Sequence, residues 1–106
     1  MNYYIFFVTV PNIEEGKRIA KVLIENHLAA CVNIIQNIFS IYHWKGCIEQ
    51  DNEHLLIIKS TGKKSEILIE KINEIHSYEN PECIGFKIEK GSERYLNWIQ
   101  SIVNQV

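Results

Sequence analysis

The order of apolar and polar residues along the chain predicts alternating strands and helices. β-branched and aromatic residues in Tyr3–Val10 predict a buried strand. Asn12 is a suitable N-cap for the helix that follows, because Glu15 three residues later completes a capping box. Apolar residues then recur at helical spacing, so we expect this helix to end near residues 26–27.

The middle of the chain predicts two long strands joined by a tight turn. Residues 30–44 alternate loosely, and Gln36-Asn37 is expected to form a bulge in this strand. Lys45-Gly46 is a turn signal, and residues 47–60 form the returning strand. The outer part of that strand, "EQDNEH", is polar, and its inner part, "LLIIK", is apolar.

The last third of the chain predicts a helix, a strand and a final helix. Thr61 is expected to cap the first of these helices and Ser92 the second, while Ile84, Phe86 and Ile88 alternate on one face of the strand. The order β-α-β-β-α-β-α favours an α+β, ferredoxin-like split βαβ sandwich with a long central β-hairpin and a C-terminal helix. We expect one domain over residues 1–106, with both main helices on one face of a four-stranded antiparallel sheet and the other face bare.

The predicted hairpin is longer than the domain that carries it. Strands of about 14 residues, at roughly 3.3 Å per residue, reach on the order of 45 Å. A compact domain of this size has a radius of gyration of only about 13 Å. The hairpin could bend or break, but we favour pairing of the overhang with another copy of the chain, because an exposed apolar strand pair promotes aggregation.

Composition narrows the expected partners and compartment. The 106 residues carry a formal net charge of −2, with 46% hydrophobic and 23% charged residues. Both signs of charge are interspersed, so neither nucleic acid nor a membrane surface is an expected partner. The apolar start "MNYYIFFVTVPN" is too short to span a bilayer, and we expect a cytoplasmic location. Cys31, Cys47 and Cys83 are expected to be free thiols there.

Candidate chemistry concentrates in "IHSYENPEC", residues 75–83. Its histidine, tyrosine, glutamates and cysteine could bind a metal or move protons, although a helix C-terminus alone would account for His76. We interpret the segment as a structural joint that also forms part of a cleft between subunits, with His76 facing the cleft. Tyr78 and Glu79 would face Lys59 or the hairpin of a neighbouring subunit. No catalytic motif or nucleophile–base pair is readable, so we do not expect an enzyme.

Three separated blocks carry a family resemblance: "HLAACVNIIQNIFSIYHWKGCIEQDNEHLLIIKST", "IHSYENPEC" and "GSERYLNWI". With them, the chain resembles the CutA divalent-cation tolerance family over nearly its whole length. The resemblance implies a ferredoxin-like homotrimer, similar in architecture to the PII signalling proteins, with a cytoplasmic role in tolerance to copper and other divalent cations. Copper(II) binding is attributed to members with a cysteine late in the first strand and paired histidines, where this chain has Val8 and Ile75-His76.

Two functions therefore remain open. The first is a metal-binding tolerance protein, with His76 as the best ligand for Cu(II) or another divalent cation and Glu79 as the second choice. The second is a PII-like trimeric module that binds a small molecule or a partner protein without catalysis. Its cleft would be lined by Cys31, Tyr42, Trp44, Lys59, Tyr78, Glu79 and Trp98.

Overall fold

The computed structural model describes residues 2–104, which form the predicted order of elements. The helices have 11 to 13 residues, and none in this part of the chain is long and apolar enough to cross a membrane. A short 3-10 turn precedes the second helix. The elements are β1 (Tyr3–Val10), α1 (Ile13–Glu25), β2 (Cys31–Trp44), β3 (Cys47–Thr61), α2 (Ser65–Ile75), β4 (Ile84–Lys87) and α3 (Glu93–Val103).

The four strands form one antiparallel sheet in the order β2-β3-β1-β4. The two sequence-distant strands β1 and β3 lie in the middle, and the short β4 and the long β2 form the edges. This is the strand order of the ferredoxin-like split βαβ sandwich, so the predicted fold is confirmed.

One face of the sheet forms the main core with α1 and α2. Alternate residues of β1 and β3 point to this face and meet the apolar stripes of the two helices. Most of these side chains are completely excluded from solvent. The cluster includes Phe6, Val8, Val10, Ile19, Leu23, Leu56, Ile58, Leu68 and Ile72.

The opposite face is partly covered by α3, which corrects the expectation of a bare face. Tyr3 alternates away from the main core and packs with Ile99 and Val103 of α3. The Tyr3 hydroxyl also donates to Gln100 Oε1 at 2.9 Å. Away from α3 the face stays open, and Phe86 of β4 is 45% exposed.

Two of the three predicted helix caps are confirmed. Asn12 accepts a hydrogen bond from the Glu15 N–H at 2.8 Å, and Ser92 accepts one from Tyr95. The prediction for Thr61 is wrong, because its side chain makes no capping bond and the chain enters a 3-10 turn before α2 begins at Ser65. The Thr61 hydroxyl is buried without a hydrogen-bond partner.

The central hairpin keeps its pairing from the sheet to its tip. The last pair is Trp44 with Cys47, and the two turn residues between them have positive φ, as in a type I′ turn. The register shifts between Ile35 and Ile38, which confirms the predicted bulge. The molecule measures 44 × 26 × 22 Å along its principal axes, so it is distinctly elongated.

Candidate functional site

An open cleft of about 840 Å³ lies between the hairpin and the segment that follows α2. The hairpin contributes aromatic side chains and one glutamate, and the segment contributes a tyrosine and two glutamates. Four of the seven cleft residues predicted from the sequence meet here. They are Tyr42, Trp44, Tyr78 and Glu79.

Two tyrosine hydroxyls donate to two carboxylates at this cleft. The Tyr78 hydroxyl donates to Glu53 Oε2 at 2.7 Å, and the Tyr42 hydroxyl donates to Asp51. Burial and the bond to Glu53 raise the pKa of Tyr78, while the bond to Asp51 raises the pKa of Tyr42 to about 12. Both phenols therefore stay protonated at neutral pH and act as donors.

Glu53 is a buried residue of this cleft that sequence reasoning missed. Its side chain is only 6% exposed, which is unusual for a carboxylate. A signal was present, because Glu49, Asp51 and Glu53 alternate in the polar part of β3 and so point to one face of the strand. Alternation alone did not reveal that the third of them would be enclosed by Tyr78.

Burial also changes the chemistry of the last residues of the segment. Burial and the negative charge of Glu53 raise the pKa of Glu82. Burial and the nearby Glu82 raise the pKa of the Cys83 thiol to about 11. Cys83 packs against the main core, as expected for a small structural residue, and its thiol is a weak nucleophile at neutral pH.

His76 lies behind the cleft wall rather than in it, contrary to the expectation that it faces the cleft. Its Nε2 donates to the Thr9 carbonyl oxygen at 2.7 Å, and its Nδ1 accepts from the Tyr78 N–H at 3.1 Å. Glu15 Oε2 lies 3.3 Å from Nδ1 and accepts from the Ser77 N–H. The imidazole thus ties the end of α2 to β1 and uses both ring nitrogens.

The geometry offers no ready metal centre within residues 2–104. Nowhere in that range do three His, Cys, Asp or Glu side chains group closely enough to hold an ion. Glu79 is exposed at the cleft, whereas a metal on His76 would have to displace the bond to Thr9 or to Tyr78. Metal binding by His76 and Glu79 stays a prediction.

The other three predicted cleft residues lie elsewhere in the same subunit. Cys31 and Lys59 are direct neighbours across β2 and β3, with the ammonium 3.9 Å from the Cys31 sulfur and bonded to Asn33. Trp98 lies on a separate shallow surface of α3, its ring centroid 5.5 Å from that of Tyr95. Within one subunit, four of the seven residues therefore meet at the cleft and three lie outside it.

Comparison with known proteins identifies relatives over almost the whole chain. The family model described as "CutA1 divalent ion tolerance protein" matches residues 4–102. The chain is 44% identical to the chloroplastic protein CutA of Arabidopsis thaliana and 47% identical to a CutA homolog of Xenopus laevis, covering 92% of this chain in each case. It spans only 53% and 64% of those two relatives. It is 40% identical to the divalent-cation tolerance protein CutA of Thermus thermophilus, over 91% of this chain and 93% of that protein.

Solved structures of similar proteins have the same fold. CutA1 from Oryza sativa superposes with a TM-score of 0.95 at 40% identity, covering 100% of this chain and 97% of that one. The protein from Archaeoglobus fulgidus, described as a periplasmic divalent cation tolerance protein, superposes with a TM-score of 0.93 at 37% identity, covering 96% and 99%. The chain therefore belongs to the CutA divalent-cation tolerance family.

Proposed function

We propose that this protein supports tolerance to copper and other divalent cations as a non-catalytic homotrimer in the cytoplasm. In this proposal the cleft beside the hairpin binds a small molecule and, more weakly, a metal ion. The observation that carries the proposal is the apolar face of the overhanging hairpin, which a single subunit leaves in water. Family membership supports the role in cation tolerance.

Three strongly exposed apolar side chains lie on one face of the hairpin. Phe39, Ile41 and Ile48 are 62%, 61% and 66% exposed. In the register, Phe39 is opposite Asn52, Ile41 is opposite Gln50 and Ile48 is opposite His43, so the three apolar side chains share one face. Contiguous exposed apolar surface of this kind marks an interaction site. Subunit contacts would cover it, and a closed ring would leave no hairpin unpaired.

The side chains that could act as catalysts are occupied or inactive in this arrangement. His76 uses both ring nitrogens in hydrogen bonds, so it is not free to accept a proton from a substrate. The Cys83 thiol has a pKa raised to about 11, which leaves little thiolate at neutral pH. These two observations favour a binding protein over an enzyme.

The cleft chemistry favours a small molecule over a tightly bound metal. Aromatic side chains and a few polar groups line a concave surface, as in ordinary ligand sites. A single imidazole with carboxylates is a weak copper site by ligand type. A PII-like signalling role, in which the cleft reports a small ligand to a partner protein, is the alternative that this lining supports.

A complementation experiment tests the proposed role. A bacterial strain that lacks its own CutA protein is supplied with this chain and grown in increasing copper(II) chloride. We expect the wild type to raise the copper concentration that stops growth, and Ile48→Glu to fail because a charge disrupts the apolar face outside the cleft. Ile67→Glu is the matched control, since Ile67 is 52% exposed on α2. Unchanged copper tolerance with the wild-type chain would contradict the role.

A further inference from the structure

We propose that the cleft binds a protonated organic amine, with the Glu53 carboxylate as its counter-charge. This inference rests on the proposed function, because it names the class of ligand for the same cleft. It comes from the charged side chains that line the cleft, where carboxylates outnumber the basic groups of the same subunit.

The first step is the burial of Glu53 without a cation. The side chain is 6% exposed and lines the cleft. Among residues 2–104 it forms no salt bridge, and its hydrogen bond is with the neutral Tyr78 hydroxyl, which uses one carboxylate oxygen. Buried carboxylates are normally paired with a cation or a metal. A cation that enters the cleft would complete this pairing.

The second step is the excess of acidic groups around Glu53. Glu79 and Glu82 also line the cleft, and Lys45 is the basic side chain that the described residues contribute there besides a histidine. The Lys45 ammonium lies 5.5 Å from the ring centroid of Trp44, near the tip of the hairpin. Burial is the main cause of the raised pKa of Glu82, and the negative charge of Glu53 adds to it.

The third step concerns the shape of the cation. Tyr42, Trp44 and Tyr78 present aromatic rings to the cleft, and such rings attract ammonium groups while they cover attached alkyl chains. A metal ion binds aromatic rings less favourably than an organic ammonium does, and it needs several ligand atoms around one point. No such group of ligands occurs among the described residues. An N–H donor could in addition bond to the second oxygen of Glu53. A protonated aliphatic amine meets all three conditions.

The two tryptophans provide an internal control for the test. Trp44 lines the cleft, whereas Trp98 lies on the separate surface of α3. The full-length protein, labelled with ¹⁵N, is titrated with putrescine dihydrochloride at constant ionic strength, and the two indole N–H signals are followed by NMR. Parallel titrations use 1,4-butanediol, which has the same length without charge, and zinc chloride.

We expect putrescine to shift the Trp44 signal while Trp98 and the butanediol titration stay unchanged. Glu53→Gln keeps an acceptor for Tyr78 but removes the charge, and it should weaken putrescine binding by about tenfold or more. Glu25→Gln on α1, outside the cleft, should bind as the wild type does.

Four results would overturn the inference. One is a shift of Trp44 with zinc but not with putrescine, which would leave the proposed function standing and reject the amine. Another is equal binding of putrescine and butanediol. The third is unchanged putrescine binding in Glu53→Gln. A basic side chain of a neighbouring subunit already paired with Glu53 would produce no amine binding, and so would also reject the inference. Loss of copper tolerance is measured separately, so failure here and failure of the tolerance role are distinguishable.

Discussion

At the scale of single residues, the bond between Tyr78 and Glu53 connects the segment after α2 to the hairpin. Tyr78→Phe removes the donor and leaves a buried carboxylate without its partner, so we expect a loss of about 1–3 kcal/mol of stability. Tyr42→Phe is the control, and we expect a smaller effect because its hydroxyl bonds Asp51 at an exposed site. Urea unfolding at one fixed subunit concentration measures both variants. Equal losses of stability in the two variants would contradict the larger contribution expected of the buried bond between Tyr78 and Glu53.

Glu82 has a pKa that partial burial and the charge of Glu53 raise. Its folded pKa is raised, so the stability that it contributes is present below the unfolded pKa and is lost as pH rises through the folded value. Glu82→Gln should therefore be more stable than the wild type at pH 7, and this advantage should vanish near pH 3. Urea midpoints in amine-free buffer at both pH values measure the difference. Glu15 has the opposite shift: burial alone would raise its pKa, but hydrogen bonding from Ser77 and the nearby charge of Arg18 lower it overall.

At the scale of elements, the contact of β4 with β1 requires a glycine. A Cβ on Gly85 would lie 2.5 Å from Phe6 Cε2, and the Phe6 ring is almost fully buried. Gly85→Ala should therefore cost about 1–3 kcal/mol, because the ring cannot move without disturbing the core. Gly91→Ala is the control, since its Cβ would meet the flexible end of Leu96 at 3.2 Å. A Gly85→Ala protein with wild-type thermal stability would contradict this account of the packing.

The elements were largely predictable from the sequence because each depends on local pattern. The bulge at Gln36-Asn37, the turn at Lys45-Gly46 and the Asn12 cap all follow from signals within a few residues. Thr61 was mispredicted because the residue before a 3-10 turn and the N-cap of an α-helix look alike in sequence. The bond from Tyr78 to Glu53 spans 25 residues and depends on where the hairpin leaves the sheet. No local pattern contains that information.

At the scale of the whole molecule, assembly is the central prediction. The wild type should sediment as about three subunits at micromolar concentration, and its unfolding midpoint should rise with protein concentration. Ile41→Glu should shift the protein toward the monomer, whereas Ile67→Glu on α2 should not. A monomeric wild type at about 50 µM would be incompatible with the proposed trimer. Equal dissociation of both variants would mean that the hairpin face is not the contact that holds the subunits together.

The bulge in β2 affects the direction in which the hairpin extends from the sheet. Between Ile35 and Ile38, β2 advances three residues while β3 advances two, from Leu55 to Glu53. Deletion of Asn37 would remove the surplus residue, yet Tyr42 would remain opposite Glu49 and Trp44 would remain opposite Cys47. Bulges bend and twist a strand, so such a deletion would change the direction of the hairpin without changing the side chains that it presents. Within this fold, the insertion or deletion of one residue would therefore point the hairpin toward different neighbours. The side chains at the base of the hairpin would stay the same.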